Sequence, residues 1–131
     1  MTMQFGWPGD GGLGLRLIAR IHAGAKTATC CPVALCTEQE MASARADVGR
    51  VVPVLDRFGT RHCDVRMIEV FETPWGAPDP RVVREEEFDS VEAWRAAMSK
   101  AWASALVAAG IVLDDDSPIF VERFELVGEE V

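Results

Sequence analysis

No stretch of this sequence approaches the roughly 20 apolar residues that span a membrane. Nor does a basic start lead into an apolar run with a small-residue cleavage site. The protein is therefore expected in the cytoplasm, with no membrane partner. Histidine is scarce: only two are present, His22 and His62, and neither has the neighbours of a nucleophilic triad. The cysteines Cys30, Cys31, Cys36 and Cys63 include no Cys-x-x-Cys pair, and adjacent residues of a strand point to opposite faces. No metal site follows from them, and in a reducing compartment they are read as thiols that act as small buried hydrophobes. Basic residues are outnumbered, 13 against 21 acidic, for a net charge of −8. Duplex DNA, whose binding rests on neutralising many phosphates, is an unfavourable partner for such a chain. There is also no internal repeat or low-complexity tract, and no cofactor is expected.

What is present suffices for one domain over residues 1–131, a size that buries roughly two-thirds of the surface its unfolded chain exposes. Leu13, Leu17, Ile18 and Ile21 recur at helical spacing after a glycine-rich stretch, and Gly24 ends that helix near Ala23. Thr27 to Val33 is β-prone, with Pro32 confining its end to an edge or a turn. The polar segment 37–49 reads as an excursion with a short helical turn, Val51 to Leu55 as a short strand, and His62 to Glu72 as a long one. Asp89 and Glu92 have capping-box spacing at the head of the strongest helical pattern, in which Trp94, Met98, Trp102 and Leu106 form an i, i+4 stripe closed by Gly110. The terminal PIFVERFELV reads as a last strand. Together these make a small α+β domain with a curved or barrel-like sheet.

Two charged residues stand out. Lys26 lies just past a helix C-terminus, where the dipole favours a cation, beside the run Thr27-Ala28-Thr29-Cys30-Cys31. Glu69 shares one strand parity with Cys63, Val65, Met67 and Phe71. As the sole charge on that apolar face, it is expected to meet a cavity or a cation, with Lys26 or Arg123 as the partner. The runs EEE at 85–87 and DDD at 114–116 read as solvated surface. Trp7 and Trp75 sit in proline-and-glycine loops, suited either to stack a nucleic-acid base or to plug the end of a barrel.

Several pieces in order, Phe5-Gly6, GAKTAT at 24–29, Val48-Gly49, VLD at 54–56, Cys63, SVEAWR at 90–95 and VERFELV at 121–127, resemble the ASCH domain. The resemblance implies a PUA-like fold, a small β-barrel flanked by helices, with a cleft for RNA or modified nucleosides. One branch of the family hydrolyses acetylcytidine with a lysine and a threonine of a G-x-K-x-x-T motif and a strand glutamate. By that motif the lysine is Lys26 and the threonine Thr29, with Thr27 their neighbour. Chemically, a threonine hydroxyl needs a base to take its proton, and a desolvated lysine is one such base.

Three positions depart from the family pattern: Arg50 replaces an aspartate, Met98 a histidine, and Arg66 the strand glutamate. Glu69 can stand in for that glutamate only if a bulge turns the strand's parity. If Arg50 and Arg66 both face the cleft, it is more positive than is usual and suits an anionic ligand. The first expectation is an amidohydrolase-like enzyme for an acylated nucleoside or nucleotide, with Lys26, Thr29 and Glu69 at the reacting centre. The alternative is a non-catalytic module for a nucleoside, a nucleotide or short single-stranded RNA. There Lys26, Arg50 and Arg66 hold phosphate, Thr27 and Arg123 line the site, and Trp7 or Trp75 stacks a base. Ribonuclease activity is a third reading, by family analogy alone.

Overall fold

The computed structural model describes residues 2–128. Its elements in chain order are β1 (Met3–Gln4), α1 (Leu13–His22), β2 (Ala28–Pro32), a 3-10 turn (Val33–Leu35), α2 (Glu38–Ala46), β3 (Val51–Leu55), β4 (Arg61–Pro74), α3 (Pro80–Glu85), α4 (Val91–Ala109) and β5 (Pro118–Leu126). The strands form one sheet in the order β1-β3-β4-β5-β2. Only β1 and β3 run parallel, and the other three pairings are antiparallel. The sheet curls into a half-barrel, so its edge strands β1 and β2 flank an open seam. The α+β architecture expected from the sequence is the one observed.

Each face of the sheet has its own core. On one face Val52, Val54, Cys63, Val65, Met67 and Phe124 pack under Ile18 and Ile21 of α1, and Phe120 packs under Met41 and Ala44 of α2. On the other, Ala28, Ile119 and Val121 pack against Val82 and Val83 of α3, Trp94 of α4 and Trp75. Helix α4 starts one residue later than the capping-box spacing suggested: Ser90, not Asp89, is the N-cap and accepts from the Ala93 amide. Gly110, at φ 69°, closes the helix in the left-handed conformation that glycine adopts freely.

The long strand β4 is not regular. Met67 pairs with Phe124 and Glu69 with Arg123, so two steps on β4 oppose one step on β5 and Ile68 is the extra residue of a bulge. Because consecutive residues of β5 point to opposite faces, Met67 and Glu69 do too. Strict alternation had placed Glu69 with Cys63, Val65 and Met67; the bulge moves it to the face of Arg66 and Arg123 and turns Val70 toward α2.

Candidate functional site

A cleft of about 850 Å³ lies along the open seam. Its walls are the β1 segment from Thr2 to Phe5, Thr29 and Cys31 of β2, Glu122 of β5, and Thr37, Gln39, Glu40 and Ser43 at the start of α2. Its size is that of a small-molecule site. Cross-strand register decides which side chains reach it. Thr29 pairs with Glu122 and Cys31 with Phe120, so all four point to one face, while Ala28 and Cys30 point to the other.

Three polar side chains of the seam, Gln4, Thr37 and Glu40, are already bonded. Thr37 and Glu40 close a capping box on α2, and the Gln4 amide donates to the Asp56 carbonyl at 3.0 Å. Glu122 differs: among the described residues its half-buried carboxylate has no hydrogen-bond or ion-pair partner. Burial pushes its pKa above the ordinary 4.5. An unpaired carboxylate facing a cleft is the kind of group a ligand satisfies. Among the described residues no lysine or arginine lines the cleft.

The raised pKa has a consequence for stability. Folded Glu122 holds its proton more tightly than the unfolded chain does, so its contribution is most favourable below 4.5 and is lost as pH rises through the raised value. Glu122→Gln is therefore expected to melt above the wild type at pH 7, with the difference vanishing at acidic pH. A thermal melt series across pH checks this, and an equal or lower Tm at pH 7 would contradict it.

On the opposite face a buried network surrounds Lys26, which is only 4% exposed. Its ammonium donates to Glu86 Oε1 at 2.9 Å and to the Ala28 carbonyl. Glu86 Oε2 in turn accepts from Trp94 Nε1 at 2.9 Å and from the Cys30 thiol at 3.0 Å. Burial, then the Glu86 charge, push the Cys30 thiol well up. Beside this lies a chain of ion pairs. Asp79 binds Arg81, Arg81 and Arg123 both reach Glu69 Oε2 at 3.0 and 2.9 Å, and Arg123 also grips Glu85. The Arg123 hydrogen bond is the main cause holding the Glu69 carboxyl below its ordinary range.

The ASCH domain family model matches residues 7–128. The chain belongs to the ASCH domain family. As a group, ASCH domains are PUA-like modules that generally bind RNA. Two solved structures share the fold. One is a protein from Enterococcus faecalis V583, at TM-score 0.74 and 18% identity over 97% of this chain and 76% of that one. The other is an ASCH domain from Lactobacillus crispatus JV V101, at TM-score 0.70 and 17% identity over 95% and 79%. No curated protein matches in sequence.

Within this ASCH domain the residues singled out from the sequence fall into separate groups. Lys26 and Thr29 belong to one motif, yet Lys26 is spent on Glu86 while Thr29 opens to the cleft, and no hydrogen bond joins them. The carboxylate beside Lys26 is Glu86, not Glu69, which lies across the sheet from the cleft on Arg81 and Arg123. Thr27 donates to Glu85 at 3.1 Å. Arg50 and Arg66 do come together at the turn ending in Arg50, where Arg66 donates to the Gly49 carbonyl. They stand outside the cleft, with side chains 72% and 48% exposed, and pair with Asp47 and Glu125. The cleft is thus acidic rather than positive.

Trp75 is buried at centroid distances of 5.1 and 5.7 Å from Trp94 and Trp102, so it plugs the core and offers no ring to a base. Trp7 is half exposed in the loop after β1, outside the cleft lining. The glutamate run at 85–87 is no solvated surface: Glu85 and Glu86 hold Arg123, Thr27, Lys26, Trp94 and Cys30.

Proposed function

We propose that this ASCH domain binds an amino-bearing nucleobase, as a nucleoside or as one base of single-stranded RNA, in the seam cleft. The observation that carries this reading is Glu122, a half-buried carboxylate beside Thr29 that has no partner and meets no cation of the cleft among the described residues. A phosphate would find no positive partner there, whereas a neutral heterocycle needs none. Carboxylates accept from the exocyclic amine of cytosine. Hydroxyls of Thr29 and Ser43 and the Gln39 amide supply further donors and acceptors for the sugar or base edge.

The test is calorimetric titration of the full chain with cytidine, uridine and cytidine monophosphate. Cytidine is expected to bind at least about tenfold more tightly than uridine, because uridine leaves the carboxyl unmatched. Glu122→Ala and Thr29→Val are each expected to weaken cytidine binding by about tenfold. Equal affinities for the two nucleosides, or binding unchanged by Glu122→Ala, would refute the reading.

A hydrolase acting on an acylated nucleoside is the second reading. It is favoured by Thr29, a hydroxyl of the lysine–threonine motif that opens to the cleft, although the Lys26–Glu86 pair lies on the opposite face of the sheet. There the Thr29 oxygen would attack the acyl carbon, the C–N bond would break as the freed amine takes up the hydroxyl's proton, and water would then cleave the acyl-threonine ester, releasing the carboxylic acid and restoring the hydroxyl. Mass-spectrometric release of cytidine from acetylcytidine by the wild type, lost in both Thr29→Val and Lys26→Ala, would decide for it.

A further inference from the structure

We propose that Cys31 and Cys36 form an oxidisable thiol pair that closes to a disulfide on the wall of the cleft when a peroxide is present. Cys31 ends the cleft-facing side of β2, and the 3-10 turn Val33–Leu35 folds the chain back so that Cys36 returns beside it, its amide bonded to the Val33 carbonyl at 3.0 Å. Both thiols point at one atom, the Pro32 carbonyl oxygen, at 3.6 Å from Cys31 and 3.3 Å from Cys36. Both are half-buried, and Cys31 lines the cleft, so a small oxidant has access.

The four thiols divide sharply. Cys63 is buried in the core under α1, and its thiol is pushed up by burial. Cys30 points to the other face and donates to Glu86. The mutual influence of the two thiols raises the pKa of Cys31 and lowers that of Cys36. The charges of Glu40 and Glu122, with burial, oppose that lowering without cancelling it. Cys36 is thus the attacking sulfur, since the thiolate is the nucleophile.

The chemistry balances. The Cys36 thiolate attacks one peroxide oxygen, the O–O bond breaks, a sulfenic acid forms, and hydroxide leaves and takes a proton to become water. Cys31 sulfur then attacks Cys36 sulfur, the S–S bond forms, the S–O bond breaks, and the hydroxyl leaves with the Cys31 proton as a second water. Two thiols have each given one electron to the peroxide. The new bond ties the cleft wall to the segment that leads into α2.

The experiment exposes the full chain to hydrogen peroxide, alkylates it under denaturing conditions and measures intact mass. The expected result is a monomer with two of its four thiols protected and a mass loss of about 2 Da before alkylation, reversed by dithiothreitol. Cys31→Ser and Cys36→Ser are each expected to abolish this protection, whereas Cys30→Ser and Cys63→Ser retain it. Four alkylatable thiols in the oxidised wild type, a disulfide that links two chains, or undiminished protection in Cys36→Ser would each overturn the proposal. The readout depends on no ligand, so it stands apart from the function of the cleft.

Discussion

Glu86→Leu is expected to destabilise the protein by about 3–5 kcal/mol, the cost of leaving one member of a buried ion pair without its partner. Lys26 is 4% exposed and has nowhere to take its charge. After the change it keeps one carbonyl, while the Trp94 indole and the Cys30 thiol lose their acceptor as well. Lys26→Met is expected to be costly for the mirror-image reason. The double variant Lys26→Met/Glu86→Leu should recover much of the loss, because apolar residues of similar volume often replace a buried pair at little cost. A deficit of about 1–3 kcal/mol should remain from the stranded indole N–H. Urea denaturation of the four proteins, read as a double-mutant cycle, checks the coupling. Simple additivity of the two single losses would mean that Lys26 and Glu86 do not interact in solution.

Trp94→Ala carries the other large effect, about 3–5 kcal/mol for removing an aromatic side chain from a filled core. Trp94 is fully buried, 5.1 Å from Trp75 and 6.4 Å from Trp102 between ring centroids. It joins α4 to the sheet and donates to Glu86 at the same time. Trp94→Phe separates these roles, since it keeps most of the packing and deletes the donor; a loss of about 1–3 kcal/mol is expected. Denaturation of both variants decides the balance. If Phe proves as damaging as Ala, the hydrogen bond into the Lys26–Glu86 network outweighs the packing, and the attribution to volume fails.

Helix α1, helix α4 and the terminal strand were legible because each carries its own period. Leu13 to Ile21 and the Trp94 stripe repeat at helical spacing, and such a face has to be buried wherever it goes. Helix α3 was not legible. It spans six residues from a proline-broken loop to the first of three glutamates, too short to show a period, and its charges look like those of a solvated turn. Yet this short helix and its cap deliver Glu85 and Glu86 to the far side of the sheet.

The candidate site divides along the same line. Ordered motifs from Phe5 to Val127 were enough to point to the ASCH family, and alternation along β5 already separates Glu122 from Arg123. No local pattern reveals the bulge at Ile68, which exchanges the faces of Glu69 and Val70. Nor does any local pattern choose which of several glutamates will meet Lys26. Periodicity is a property of neighbours along the chain, so the sequence by itself determined the periodic elements and the family. The partners of each charge depend on tertiary contacts between residues 38 to 60 positions apart in the chain, such as Arg123 with Glu85 and Lys26 with Glu86. Only the tertiary structure therefore decided that Glu86 neutralises Lys26, that Glu69 is held by arginines, and that Glu122 faces the open cleft.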